Sequence, residues 1–139
     1  MNRNMAEIIR NRQPICLRAE DSIQRACEVM HDKRIGAILI TDEAGRLTGI
    51  FTGRDVVACI SAGMDVAATT LRDVMTRNPA TMPTRSSAIE ALRLMQDGGF
   101  RHIPVVEQGS PIGIVSRGDF RGLEYDRLDV ETGLWERLG

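Results

Sequence analysis

The sequence predicts a mixed α/β fold of the α+β kind, built from two pseudo-symmetric strand–helix–strand–strand–helix repeats. Three observations predict it. First, the chain says nearly the same thing twice. Pro14, Ser22, Ala26, Met30, Asp32 and Ile38 recur 65 positions later as Pro79, Ser87, Ala91, Met95, Asp97 and Ile103. After a one-residue deletion the offset is 64, and Gly45, Gly49, Ile50 and Asp55 recur as Gly109, Gly113, Ile114 and Asp119. A fixed-period duplication marks two like supersecondary units. Second, each copy holds an apolar set at helical spacing, then two apolar β-branched runs separated by a turn. Third, one copy of about 50 residues has too little core to be comfortable alone. The 42% hydrophobic content of this 139-residue chain suits two halves sharing one core.

The elements follow in order. Met5 to Arg10 reads as a short lead-in helix, and Ile15 to Leu17 as a short extended stretch behind Pro14. Ile23, Ala26, Cys27 and Met30 fall at i, i+3, i+4 and i+7, with Asp21 or Ser22 as N-cap. Ile35 to Thr41 is an apolar, β-branched run expected to be a buried strand. Asp42 to Gly45 is a turn, and Leu47 to Phe51 returns as the second strand of a hairpin. Arg54 to Ala62 is a helix ended by Gly63. Thr70 to Met75 is a connecting helix or turn, and Ala80 to Met82 a strand behind Pro79. Ser87 to Glu90 resembles a capping box opening a helix to Gln96, ended by Gly98 and Gly99. Ile103 to Val106 and Ile112 to Val115 make the second hairpin, turning at Gln108-Gly109, and a helix is expected near Arg117 or Gly118. Beyond Gly122, Leu123, Val130, Leu134, Trp135 and Leu138 suggest an amphipathic stripe, interrupted by Gly133.

Composition narrows the function. Lys+Arg 18 against Asp+Glu 19 gives a net charge of −1 without a basic run, and aromatics are 4%. Bulk attraction to nucleic acid and base stacking on aromatic platforms both lack support. Met1 to Arg12 has no apolar h-region, and no apolar stretch approaches the roughly 20 residues that span a bilayer. The expectation is a soluble cytoplasmic protein without membrane or nucleic-acid partners. Cys16, Cys27 and Cys59 are odd in number and lack paired spacing. They read as three buried free thiols rather than a disulfide frame or zinc site.

The most informative unit closes each copy: Gly49-Ile50-Phe51-Thr52-Gly53-Arg54-Asp55, then Gly113-Ile114-Val115-Ser116-Arg117-Gly118-Asp119. A hydroxyl and a carboxylate three residues apart at a strand-to-helix junction form an N-cap. The same geometry offers N–H groups to a phosphate and a carboxylate to the two hydroxyls of a ribose. Both readings stand at this level.

These residues resemble a tandem pair of cystathionine-β-synthase (CBS) domains, a Bateman module of the stand-alone bacterial type. The resemblance spans Arg12 to Gly122. It rests on the two closing motifs, on Arg101-His102-Ile103-Pro104-Val105-Val106, and on the connector Asp73-Val74-Met75-Thr76. It implies a CBS-pair disc: a lead-in at 1–12, repeats at 13–63 and 79–122, a connector at 64–78 and a helical tail at 123–139. It also implies adenine-containing ligands in clefts between the repeats, and head-to-head or head-to-tail homodimers. By the resemblance, Asp55 and Asp119 hold ribose, while Thr52 and Ser116 contact ribose or phosphate. Arg54 reaches phosphate, where the second repeat has Gly118 instead, with Arg117 beside it. His102 faces phosphate, where the first repeat has Ala37. Arg34 and Arg101 supply further charge. The adenine lies near Ile15, Cys16, Ala80 and Thr81.

The resemblance therefore implies a regulatory adenine-nucleotide module, a homodimeric energy or metabolite sensor. Its ligand would be AMP, ADP, ATP, NAD(H) or an S-adenosylmethionine derivative, with no obligatory cofactor and no metal. A protein effector acting in trans would read its state. The alternative is a ligand-free structural module for dimerisation or partner binding. An enzyme is disfavoured: the chain has no Gly-x-Ser-x-Gly, His-Glu-x-x-His or Gly-x-x-x-x-Gly-Lys run. His31, near a helix end, suits a dipole or capping role.

Overall fold

The computed structural model describes residues 3–122 and 124. The tail stripe expected over Leu123, Val130, Leu134, Trp135 and Leu138 lies outside the described residues. In chain order the elements are α1 (Met5–Ile8), β1 (Cys16–Leu17), α2 (Ile23–Lys33), β2 (Ala37–Thr41), β3 (Leu47–Thr52), α3 (Gly53–Ser61), β4 (Thr76–Arg77), α4 (Ala88–Gly98), β5 (His102–Glu107) and β6 (Ser110–Ser116). Short 3-10 turns span Leu71–Asp73 and Arg117–Asp119. The class is mixed α+β with two sheets, as expected. The described residues divide into a first-repeat unit (residues 14–79 and 108–111) and a second-repeat unit (residues 3–13, 80–107, 112–122 and 124).

In the first-repeat unit, Ser22 starts α2 by accepting the Arg25 N–H at 3.0 Å. Ile23, Ala26, Val29 and Met30 form the buried face of α2. Arg34 ends the helix in the left-handed region at φ 56°, a conformation that costs an L-residue roughly 1–2 kcal/mol. The second repeat puts Gly99 at the matching place, at φ 71°. The sheet order is β1-β2-β3-β4, parallel between β1 and β2 and antiparallel thereafter. Ala37 to Ile40 are all buried, so β2 is covered on both faces. The Asp42 carboxylate closes the hairpin by accepting the Ala44 and Arg46 N–H groups at 2.9 and 3.0 Å. Ile38, Ile40 and Phe51 pack with α2, Cys59 and Leu71 into one core. Strand β4 was not expected. It forms because Thr76 and Arg77 pair with Ile50 and Gly49 across the sheet edge.

In the second-repeat unit, Asn4 caps α1 and bridges Ser87, the N-cap of α4. The matching bridge in the first-repeat unit joins Thr70, N-cap of the Leu71–Asp73 turn, to Ser22. Each unit thus takes its short leading element from the chain that precedes the other repeat. Met5, Ile8 and Ile9 enter a core with Ala91, Leu92, Met95, Ile103, Val105 and Val115. The β5–β6 hairpin turns at Gln108 and Gly109, with φ of 52° and 83°, the signs a two-residue type I′ loop requires.

Three expectations need correction. The Ala80 to Met82 strand shrinks to one parallel bridge, Met82 to Val105. Pro79 and Pro83 bracket this short run, and proline gives no N–H to a ladder. The helix expected near Arg117 is a single 3-10 turn, because Phe120 leaves it extended (φ −92°, ψ 148°) and buries its ring in the core. Gly118 in that turn adds no helix propensity. Finally, the cysteines are free but only Cys59 is buried; Cys27 is half-buried and Cys16 exposed. Desolvation nevertheless pushes all three thiols up, with Glu28 adding at Cys27 and Asp55 at Cys59. That disfavours the reactive thiolate.

Candidate functional site

The same turn is built twice. β3 ends at Thr52 and β6 at Ser116, both extended, and the chain turns at once into α3 or the Arg117–Asp119 turn. Asp55 Oδ2 accepts the Thr52 N–H at 2.9 Å and the Thr52 hydroxyl at 3.2 Å. Asp119 Oδ2 accepts the Ser116 N–H at 2.7 Å and the Ser116 hydroxyl at 3.3 Å. The Gly53 N–H donates to the Gly36 carbonyl at 3.1 Å, and the Arg117 N–H to the Arg101 carbonyl at 2.9 Å. In each turn one carboxylate oxygen carries both capping bonds. A carboxylate has about four lone-pair sites, so Oδ1 of each aspartate can take further donors such as a vicinal diol.

The two turns differ around Oδ1. Arg12 Nη1 lies 2.8 Å from Asp119 Oδ1. Arg3 Nη2 donates to the Asp119 carbonyl at 3.0 Å. Arg3 also grips Glu124 through two bonds, Nη2 to Oε1 at 2.7 Å and Nε to Oε2 at 3.2 Å. The bond to Glu124 raises the Arg3 pKa against an opposing desolvation. Burial is the largest single influence on Glu124 and raises it, but Arg3 and the Arg121 N–H together outweigh it and hold the carboxyl below its usual range. Sequence reasoning found neither arginine. Arg3 and Asp119 are 116 residues apart, a separation that no local pattern of side chains spans.

The other expected residues are placed as follows. His102 opens β5, half-buried. Burial lowers its pKa, Arg101 lowers it further, and the nearby Asp119 charge opposes them. Burial and Arg101 thus both favour the neutral imidazole. In the first-repeat unit Ala37 takes this place and pairs with Thr52. Arg101, Arg34, Arg54 and Thr81 are exposed. The structure thus gathers His102, Ser116, Asp119 and Arg12 in one unit, and Thr52, Arg54 and Asp55 in the other. Arg34 stands at the α2 C-cap and Thr81 beside the Met82 bridge. Among the described residues, no group of three or more His, Cys, Asp and Glu could hold a metal ion. Among them, too, no helix is long and apolar enough to cross a membrane.

The model of the CBS domain matches the chain twice, over residues 6–62 and 71–125. This chain belongs to the CBS-domain family. It is 38% identical over 111 residues to the CBS domain-containing protein CBSCBSPB1 of Arabidopsis thaliana, covering 79% of this chain and 20% of that protein. It is 43% identical over 104 residues to CBSCBSPB3 of the same plant, covering 74% of this chain and 18% of that protein. The chain therefore spans about a fifth of the length of these relatives. Among solved structures, the CBS-domain containing protein ATU1752 from Agrobacterium tumefaciens is similar at TM-score 0.77 and 31% identity, over 84% of this chain and 89% of that one. The CBS domain pair of protein MJ0100, in complex with 5′-methylthioadenosine and S-adenosyl-L-methionine, matches at TM-score 0.77 and 25% identity, over 90% and 98%. The CBS domain protein PAE2072 from Pyrobaculum aerophilum, complexed with AMP, shares the fold at TM-score 0.83 and 20% identity, over 91% and 98%.

The two matched CBS stretches begin at Ala6 and Leu71. Those starts fall in α1 and in the Leu71–Asp73 turn, the two short elements that lead the N-caps of α4 and α2. The CBS pair is thus duplicated in its leading elements as well as in its closing motifs.

Proposed function

We propose that this CBS pair is a regulatory, non-catalytic module that binds adenosine-type ligands, with Asp55 and Asp119 each holding a ribose. The observation that carries the reading is the duplicated turn. In both repeats the aspartate caps with Oδ2 at 2.7–2.9 Å to the backbone, so that Oδ1 is the oxygen to receive the ribose diol, directly at Asp55 and in exchange for Arg12 at Asp119. The ligands of MJ0100 and PAE2072 share an adenosine and differ at its 5′ end, which supports the ribose as the common feature read. AMP, ATP and NAD-type dinucleotides all carry it. Thr52 and Ser116 contact the ribose or the first phosphate; Arg54, Arg34, Arg101 and His102 face phosphate, and Thr81 the base.

The test is a thermal-shift panel of AMP, ADP, ATP, NAD+, NADH and S-adenosylmethionine, with GTP as control, followed by calorimetry. A ligand at 100-fold its Kd adds about 2.7 kcal/mol to the folded state. Adenosine-type ligands should raise the Tm by several degrees, and Asp55→Asn and Asp119→Asn should each remove one binding event. Equal affinity in wild type and both variants would sink the ribose assignment.

A second reading has its own observation. Val57 and Ile60 of α3 and the following Met64 are large apolar side chains exposed by 68%, 61% and 40%. This stripe is the proposed face for a second copy, and a homodimer without ligand would already use it. Light scattering of Ile60→Lys should then report monomer where the wild type reports dimer. An effector acting in trans would read the dimer.

A further inference from the structure

Arg12 is held in place at its backbone and partly exposed at its tip. Its N–H donates to the Ile9 carbonyl at 2.9 Å, after Asn11 reverses the chain at φ 63°. Met5, Ile8 and Ile9 anchor the segment in the core. The Arg12 side chain, however, is 45% exposed, against 17% for Asp119. Asp119 cannot turn away, because Ser116 holds its other oxygen twice. The guanidinium is therefore the partner that can leave, and water is its route. In the first-repeat unit the residue 65 positions on, Arg77, is committed elsewhere: its Nη2 donates to the Arg72 carbonyl at 3.1 Å.

We infer that Arg12 is a residue of the second ligand site: it occupies Asp119 Oδ1 and must vacate it before a ribose is held there. This rests on the ribose reading of Asp119. It makes the two sites unequal, so the Asp55 site fills first and the Asp119 site only at higher ligand concentration. The competitor is a single side chain, since the buried α1 residues keep the segment in place. The pair is partly solvated, so the handicap is modest.

The probe is adenosine, whose lack of charge removes any direct attraction to arginine. Calorimetry compares the full chain carrying Asp55→Asn with the same chain carrying Asp55→Asn and Arg12→Gln. Adenosine should bind about two- to fivefold tighter when Arg12 is replaced, the effect of releasing a partly exposed ion pair. Arg12→Lys should keep the parent affinity. A salt titration of the Asp55→Asn chain needs no change at Arg12: screening weakens the ion pair, so adenosine affinity should rise with salt. If adenosine binds but neither Arg12→Gln nor salt tightens it, the Arg12 assignment is overturned and the proposed function stands. If no variant and no wild-type protein binds adenosine or AMP, both are overturned.

Discussion

A Cβ on Gly113 would lie 2.9 Å from each of the Cβ, Cγ2 and Cδ1 atoms of Ile9. Ile9 follows α1, and it lies against the bare backbone of β6. The first-repeat unit repeats the device: a Cβ on Gly49 would lie 2.7 Å from Met75 Sδ and 3.0 Å from the Thr76 carbonyl. The Gly-Ile step that opens each closing motif therefore has a packing cause. It seats the leading element of the unit against the strand that carries the aspartate-capped turn. Gly113→Ala should lower stability by about 1–3 kcal/mol, the usual cost of overpacking a close-packed site. Adding Ile9→Ala to Gly113→Ala should recover part of that loss in a double-mutant cycle read by urea unfolding. Additive losses would mean the two side chains do not meet.

Arg3 joins the start of the described chain to Glu124 and to the Asp119 carbonyl. Arg3→Ala should cost about 1–3 kcal/mol, the range for hydrogen bonds to a charged partner. The pH dependence fixes the cause. Glu124 is held below its usual 4.5 when folded, so its contribution is complete above pH 4.5 and is lost as pH falls through the lowered value. The gap between wild type and Arg3→Ala should therefore narrow on acidification below 4.5. A gap independent of pH would assign the loss to packing alone.

His102 titrates in a different window. Its folded pKa lies below the ordinary 6.5, chiefly through burial. The unfolded chain therefore takes up this proton first. His102 costs nothing above 6.5, and stability falls as pH drops from there through the lowered value. Denaturation midpoints between pH 7.5 and 5.5 should decline in wild type and decline less in His102→Gln. Parallel curves would show that His102 is not the group responsible.

Arg34 holds φ 56° where the second repeat uses Gly99. Arg34→Gly removes the left-handed strain and adds chain entropy to the unfolded state. The net change should be neutral to stabilising, up to about 1 kcal/mol. If Arg34 also serves phosphate, as proposed, AMP affinity should fall in the same variant while stability does not. A stability loss above 1 kcal/mol would show that the side chain itself is structural.

What the sequence determined by itself is whatever short-range chemistry decides. Ser22 and Ser87 open α2 and α4, each accepting an N–H three residues on. Gly45 and the Gln108-Gly109 pair turn the hairpins at positive φ. Thr52 with Asp55, and Ser116 with Asp119, close their turns over the same short span. Each involves residues a few positions apart, so composition and spacing carry the signal, and duplication doubles it. Only the tertiary structure decided the rest. It assigned α1 to the second-repeat unit, paired Thr76 and Arg77 with β3, and held Arg117–Asp119 to a 3-10 turn as Phe120 leaves it extended for the core. It also set Arg12 on Asp119. These outcomes join residues far apart in sequence. Which distant groups meet is settled by how the whole core packs, and no local pattern of side chains encodes it.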